Sequence, residues 1–213
     1  MKYPIHERFF SWQGEGVHMG RAAFFVRLFG CPVHCPWCDS AGTWHKDHIP
    51  RNIEKRTAKE IVAEISKEKP DFVVITGGEP AIHDLTELSD AIHSENLPVH
   101  LETSGAFPIR GNFNWITLSP KWNKLPLEEN YKLANELKII VEDQKSISKW
   151  GSIINSHIKE IQNIWLHPEW SVAKDFKVLT SITEFIKSHG SPFRAGYQMH
   201  KMYQADELDS RSR

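Results

Sequence analysis

A chain of 213 residues is long enough to bury a full core and suits one domain, and 40% hydrophobic with 25% charged residues is a globular composition. A formal net charge of −1 gives no general attraction to nucleic acid or an anionic membrane; no apolar run approaches a membrane span, and MKYPIHERFF lacks the apolar stretch of a signal peptide. Three cysteines, an odd number, with no secretion signal argue against a disulfide framework and for a reducing cytoplasm.

The first clear element is AAFFVRLFG (22–30), a buried strand that runs into a loop holding all the cysteines: Cys31, Cys35 and Cys38. TAKEIVAEISKE opens on Thr57 and Glu60, a capping-box pair, and predicts a helix. DFVVIT (71–76) is a strand stopped by Gly77 and Gly78, and residues 84–94 read as a helix starting near Asp84. Strands follow at PVHLET (98–103), NWITLSP (114–120) and ELKIIVE (136–142), then a helix near 143–155 and a strand at IQNIWLHP (161–168). Ser171 to His189 predicts a long helix capped by Gly190, and FRAGYQMH (193–200) the last strand. Alternating strand and helix implies parallel pairing with right-handed crossovers. The order is barrel-like, yet the length is near the lower limit of an eight-fold barrel, and only a turn fits between HLET and NWITL. The expectation is an α/β protein, an incomplete barrel of about six or seven mostly parallel strands. Residues 1–204 would form one domain, with ADELDSRSR (205–213) a disordered tail.

In such folds chemistry gathers at the C-terminal ends of strands, and the polar turns here lie there: the cysteine loop, TGGEP, ETSG, SPK, LHPEW and YQMHK. The cysteine loop admits two readings. Cys35 and Cys38 have zinc-finger spacing, and His34, His45 or His48 could complete a Cys3His site. Alternatively the C-x3-C-x2-C spacing, with Trp37 before the last cysteine, resembles that of the radical SAM superfamily, in which three thiolates hold a 4Fe-4S cluster. Three protein ligands leave one iron open to chelate the amino and carboxylate groups of S-adenosylmethionine (SAM), whose sulfonium can then be reduced to give a 5′-deoxyadenosyl radical. Glu15 lies between two glycines, which suggests close backbone approach to a ligand, although a surface carboxylate is the plainer reading. Arg27 lies on an otherwise apolar strand and needs an anion, either a structural Asp or Glu or a ligand carboxylate.

The run SWQGEGVHMGRAAFFVRLFGCPVHCPWCDS goes further and closely resembles the 7-carboxy-7-deazaguanine synthase family, radical SAM lyases of 7-deazapurine (queuosine) biosynthesis. The matching motifs are Gln13–Gly16, Arg27, Cys38–Ser40, Thr76–Pro80, Glu102–Gly105, Ser119–Lys121 and Gln198–Lys201, in order from residue 3 to about 203. The resemblance implies a modified, incomplete barrel that contracts 6-carboxy-5,6,7,8-tetrahydropterin to 7-carboxy-7-deazaguanine and expels ammonia. It implies a 4Fe-4S cluster on Cys31, Cys35 and Cys38, and SAM beside Trp37, Cys38, Asp39, Gly78, Glu79, Ser119, Pro120 and Lys121. Trp12, Gln13, Gly14, Glu15, Arg27, Thr76 and His200 would meet the pterin, and Ser40 would hold Mg2+ with Asp39 alongside. A homodimer is implied, with a reductant such as flavodoxin or ferredoxin, and with neither nucleic acid nor membrane as partner. The chain departs from the family pattern at Trp12, usually Leu, at His167, usually Gln, in the short segment HKDHIPRN, and in its tail. Two other functions share some features: a glycyl-radical activase, which has no use for QGEG or Arg27, and a zinc-stabilised interaction module, which leaves the polar strand ends unexplained.

Overall fold

The computed structural model describes residues 1–154, 157 and 160–203, so the tail 205–213 and the end of the helix expected over 143–155 lie outside it. The chain runs β1 (Lys2–Trp12), β2 (Ala22–Leu28), β3 (Glu54–Thr57), α1 (Ala58–Ile65), β4 (Phe72–Gly77), α2 (Thr86–His93), β5 (Val99–Thr103) and β6 (Trp115–Leu118). It continues through α3 (Glu128–Tyr131), β7 (Glu136–Val141), α4 (Ser146–Ile154), β8 (Ile164–Pro168), α5 (Phe176–His189), β9 (Phe193–Ala195) and α6 (Met199–Met202). All nine strands join one sheet in the order β3-β1-β2-β4-β5-β6-β7-β8-β9. Pairing from β2 to β9 is parallel throughout, and β1 with β3 adds an antiparallel edge. The sheet is open, an incomplete barrel with seven parallel strands, within the expected six or seven. Among the described residues no helix is long and apolar enough to cross a membrane.

Local chemistry sets the boundaries. Thr57 caps α1: Glu60 N–H donates to its Oγ1 at 3.2 Å, and the Glu60 carboxylate accepts from Thr57 N–H at 2.8 Å. Asp175 accepts from Lys177 and Val178 N–H to start α5, and Gly190 ends it at φ 65°. The helix expected from Ser171 therefore begins only at Phe176, after a 3-10 turn over Trp170–Val172. Strand residues alternate between two faces. Val26, Leu28, Val73, Ile75, Val99 and Leu101 pack with α1 and α2 in one core, and Leu137, Ile139, Ile164 and Leu166 with α4 and α5 in a second. The opposite, concave face carries polar groups: Arg27, Thr76, His100, Thr117, Glu136 and His167 are buried there, and Glu102 is partly buried.

Other departures lie at the edges of the sheet. LysTyrProIle onward was not anticipated as a strand, yet β1 pairs with β2 from Ile5 to Trp12 and brings Glu7 opposite Arg27. The last strand stops at Ala195 rather than residue 200, because a Cβ on Gly196 would stand 2.2 Å from the His167 ring and the chain turns off the sheet there. Gln198 and His200 consequently lie at and in a short helix that folds back over the strand ends.

Candidate active site

A cavity opens at the C-terminal ends of the parallel strands, and every residue the family resemblance nominates lines it except Pro120, which is buried behind the end of β6; His34, His45 and His48 of the zinc reading do not line it. The cysteine loop forms one wall. It leaves β2 through Gly30 (φ 106°), and Gly30 N–H bonds Thr43 O at 3.2 Å to close the loop's base. Asn123 donates to His34 O at 3.0 Å, and His34 stacks on Trp44 with 4.4 Å between ring centroids. Cys31, Cys35 and Cys38 form no disulfide, and all three line the cavity. Burial pushes each thiol up, Cys35 to about 11, with its two sister cysteines adding to the effect against Lys121. Buried thiols of this kind hold their protons until a metal displaces them. Among the described residues no three His, Cys, Asp or Glu side chains, the cysteines and His34, His45 and His48 included, gather as a single metal ion requires. Three thiols spread along one loop suit a cluster, in which each holds a different iron.

The TGGEP turn forms the adjoining wall, and its glycines are forced by contact. A Cβ on Gly77 would meet Leu28 O at 2.3 Å, and one on Gly78 would meet Gly30 O at 2.5 Å and Cys31 Cβ at 2.7 Å. Gly78 N–H and Glu79 N–H bond Leu28 O and Gly30 O at 3.0 and 2.8 Å, which docks this turn on the root of the cysteine loop. Glu79 is buried. Its carboxylate accepts from Ala81 N–H, the Thr103 hydroxyl, and both N–H and hydroxyl of Ser104. It thus ties TGGEP to ETSG rather than standing open. Lys121 reaches back to Ser119, donating to its O and Oγ at 2.6 Å, with its ammonium 5.5 Å from the Trp37 ring centre. Burial lowers its pKa against the pull of Cys35.

The third wall holds the residues around QGEG. Gln13 donates to Glu102 at 2.8 Å while accepting from Glu15 N–H, and Thr76 donates to the other Glu102 oxygen at 3.3 Å. Glu15 is buried and accepts from Lys138 Nζ at 2.5 Å. Burial opposes its ionisation, but Lys138 first, then His167 and His200, outweigh that and hold it well below the usual carboxylate range. Gly14 lets His200 cross its backbone, and Gly16 lets Glu136 grip this loop at Val17 N–H, 3.0 Å. Arg27 has a structural carboxylate after all: its Nε donates to Glu7, and its Nη1 donates to Ser40 Oγ at 2.9 Å. Asp39 receives Gln198 at 3.3 Å and pairs with Lys201 at 3.6 Å, so the C-terminal helix latches onto the cysteine loop. Burial opposes the Asp39 charge, yet Lys201, Arg27 and Lys138 together hold its carboxyl below the ordinary value. Trp12 meets Tyr203 edge-on at 5.4 Å.

Sequence reasoning passed over Lys138, Glu7, Phe9 and Phe25, although Lys138 carried the signal used for Arg27, a lone cation in an apolar strand. His167 lies outside the cavity lining, fully buried beside Gly196 with both ring nitrogens unpartnered among the described residues.

The profile of the radical SAM superfamily matches residues 26–139. Over 202 residues the chain is 45% identical to 7-carboxy-7-deazaguanine synthase of Synechocystis sp. (strain ATCC 27184 / PCC 6803 / Kazusa), covering 94% of this chain and 92% of that one. It is 36% identical to the protein of the same name from Flavobacterium psychrophilum over 93% of this chain and 90% of that one. Among solved structures it is similar to QueE from Escherichia coli, with a TM-score of 0.78, 31% identity, and 94% and 95% of the two chains covered. Streptococcus suis SuiB bound to S-adenosylmethionine shares the fold at a TM-score of 0.53, 15% identity, and 86% and 48% coverage.

Proposed function

Because the chain belongs to the 7-carboxy-7-deazaguanine synthase family of the radical SAM superfamily, we propose that it converts 6-carboxy-5,6,7,8-tetrahydropterin to 7-carboxy-7-deazaguanine with release of ammonia. The observation that carries this reading is a single cavity with three thiols on one wall and the Gln13–Glu102, Glu15–Lys138 and Arg27 groups on another. One side suits a cluster, the other a small polar heterocycle bearing a carboxylate.

In this proposal Cys31, Cys35 and Cys38 would hold the 4Fe-4S cluster, and Trp37, Cys38, Asp39, Gly78, Glu79, Ser119 and Lys121 would surround SAM, with Pro120 behind that wall. When bound, cluster and SAM would supply radical chemistry at the 5′-carbon of SAM, able to abstract a hydrogen from the substrate. The chain's own residues position and shield. Lys121, partly buried in the cavity wall beside Trp37, would supply positive charge toward the thiolate-held cluster. Glu79 shapes the SAM wall by holding Thr103 and Ser104. Arg27 would hold the substrate carboxylate, and the Ser40 hydroxyl beside it would be the group offered to a Mg2+ ion. Trp12, Gln13, Gly14, Glu15, Thr76 and His200 fix the ring, so that the hydrogen at C6 faces the radical source. Lys201 and Gln198 close the site from the C-terminal side by gripping Asp39. Residues 1–204 act as one domain, in a homodimer in the cytoplasm, with an electron from a flavodoxin- or ferredoxin-type donor.

The test is anaerobic incubation of the reconstituted enzyme with the carboxytetrahydropterin, SAM, Mg2+ and a reductant. The expected outcome is 7-carboxy-7-deazaguanine with one ammonia per product, slowed by EDTA. A stable glycyl radical on an added partner protein, with no small-molecule product, would establish the activase instead.

A further inference from the structure

Lys138 sits mid-strand on β7 between Leu137 and Ile139, which are both fully buried in the outer core. Its side chain turns the other way and lines the cavity with Glu15. The two side chains keep 18% and 9% of their surface exposed, so the pair borders the open space rather than being sealed from it. Among the described residues Glu15 is the one hydrogen-bond acceptor that Lys138 Nζ meets, at 2.5 Å. An ammonium has three donors, so two N–H groups remain to be used. Glu15 Oε1 likewise receives no donor among the described residues, its partner oxygen Oε2 being the one that meets Lys138. Both groups are charged: burial opposes each ionisation, but each partner's charge outweighs it, raising Lys138 and lowering Glu15. A buried ion pair seldom stabilises a fold more than an apolar pair of the same volume, so stability alone gives little reason to place this one in a cavity wall.

We infer that Glu15 and Lys138 together read the lactam edge of the substrate ring, Lys138 donating to the ring carbonyl oxygen and thereby selecting an oxo over an amino group there. The inference rests on the function proposed above. A lactam carries N–H and C=O on adjacent atoms. A carboxylate oxygen beside an ammonium is the complementary acceptor and donor, and the carboxylate held at Arg27 fixes which way round the ring lies. An amino analogue in the same pose sets a donor against the ammonium and a bare ring nitrogen against the carboxylate, leaving both charges unmet. Lys138 is thus a specificity-determining residue, not merely a counter-ion for Glu15.

The reaction product retains this edge and binds without turnover, so calorimetry on the anaerobic, cluster- and SAM-loaded enzyme can use two probes. They are 7-carboxy-7-deazaguanine and its analogue with an amino group in place of the ring carbonyl. The parent should prefer the oxo probe by roughly 100-fold. Lys138→Met should weaken the oxo probe by roughly 10- to 100-fold, the worth of a hydrogen bond to a charged group, and bring the oxo-to-amino ratio close to one. Lys138→Arg should keep part of the preference, and SAM affinity should stay at the parent value in both, which also reports that they fold. Should Lys138→Met not fold, Lys138→Gln carries the same comparison. An unchanged ratio in the variants, or equal weakening of both probes, overturns the inference, because Lys138 would then only support Glu15. If the parent binds neither probe, the proposed function itself fails and this inference falls with it.

Discussion

A Cβ built on Gly14 would stand 2.1 Å from His200 Nδ1 and 2.7 Å from its Cβ and Cγ, so no other residue leaves His200 where it is. The backbone contact is just as close: Met199 N–H bonds Gly14 O at 3.1 Å. Gly14→Ala should therefore push His200 off the substrate wall while leaving the sheet intact. Since misplacing a positioning group by about 1 Å can cost 10²-fold, kcat/KM should fall roughly 100-fold, with the thermal midpoint moved by no more than about 2–4 °C. Steady-state kinetics beside circular dichroism checks this, and parental kinetics would show that His200 does not touch the reacting complex. At this scale the sequence exposed oddities without their partners. Arg27 was visibly out of place among Phe25, Val26 and Leu28, but its carboxylate, Glu7, lies on a strand carrying Pro4, His6, Glu7 and Arg8 with no clean alternation. Those charges become tolerable only through distant partners such as Glu54 and Glu64 on Arg8, which no local pattern encodes.

Strand ends and the loops after them act as units. The cysteine loop is held from below by the TGGEP turn, since Gly78 presses against Gly30 O and Cys31 Cβ with no room for a side chain. Gly78→Ala should force the turn and the loop apart. Anaerobic reconstitution, expected to load about four irons per chain in the parent, should then load fewer, with a weaker visible absorbance. Cys31→Ala, Cys35→Ala and Cys38→Ala should lose that absorbance altogether. Full iron loading in Gly78→Ala would show that the loop adjusts without the turn. The strands that position these loops were legible because β2, β4, β5, β7 and β8 carry runs of apolar residues whose alternate members fill the two cores. The edges were not: β3 is EKRT, half exposed, and owes its form to pairing with β1 alone. The end of β9 was hidden for a different reason, since Gly196 and the His167 ring meet only once the sheet has curved.

Across the whole molecule the concave face divides by depth. The charged site occupies the C-terminal end, while the segment after QGEG bends inward and fills the other end with His18, set 4.5 Å from both His100 and Trp115. Arg21 lies over Phe72 at 5.0 Å and reaches His18 Nδ1 at 2.9 Å, so this plug is aromatic and already carries one positive charge. Burial, then the charge of His18 and Arg21, lowers His100 to about 3. Burial lowers His167 to about 4, with Lys138 and His200 adding to it against Glu15. His6 and His18 move the same way, burial first. These histidines fold neutral, and their folded pKa values lie below the unfolded value near 6.5. As pH falls through 6.5 the unfolded chain takes up protons that the folded chain refuses, so stability drops, and for His167 the drop ends near pH 4. Each such histidine contributes a slope of at most about 1.4 kcal/mol per pH unit. The carboxylates act in a separate window. Glu15 and Asp39 have depressed folded values, so the stability they lend persists above the unfolded carboxylate value of about 4 and fades only in stronger acid. Between pH 6.5 and 4.5 the buried imidazoles should therefore govern the acid response. Urea midpoints followed by tryptophan fluorescence should decline steadily over that range in the parent, and more shallowly in His100→Phe and His167→Gln. A flat profile in the parent, or the same slope in both variants, would mean that water or rearrangement meets these rings as they charge.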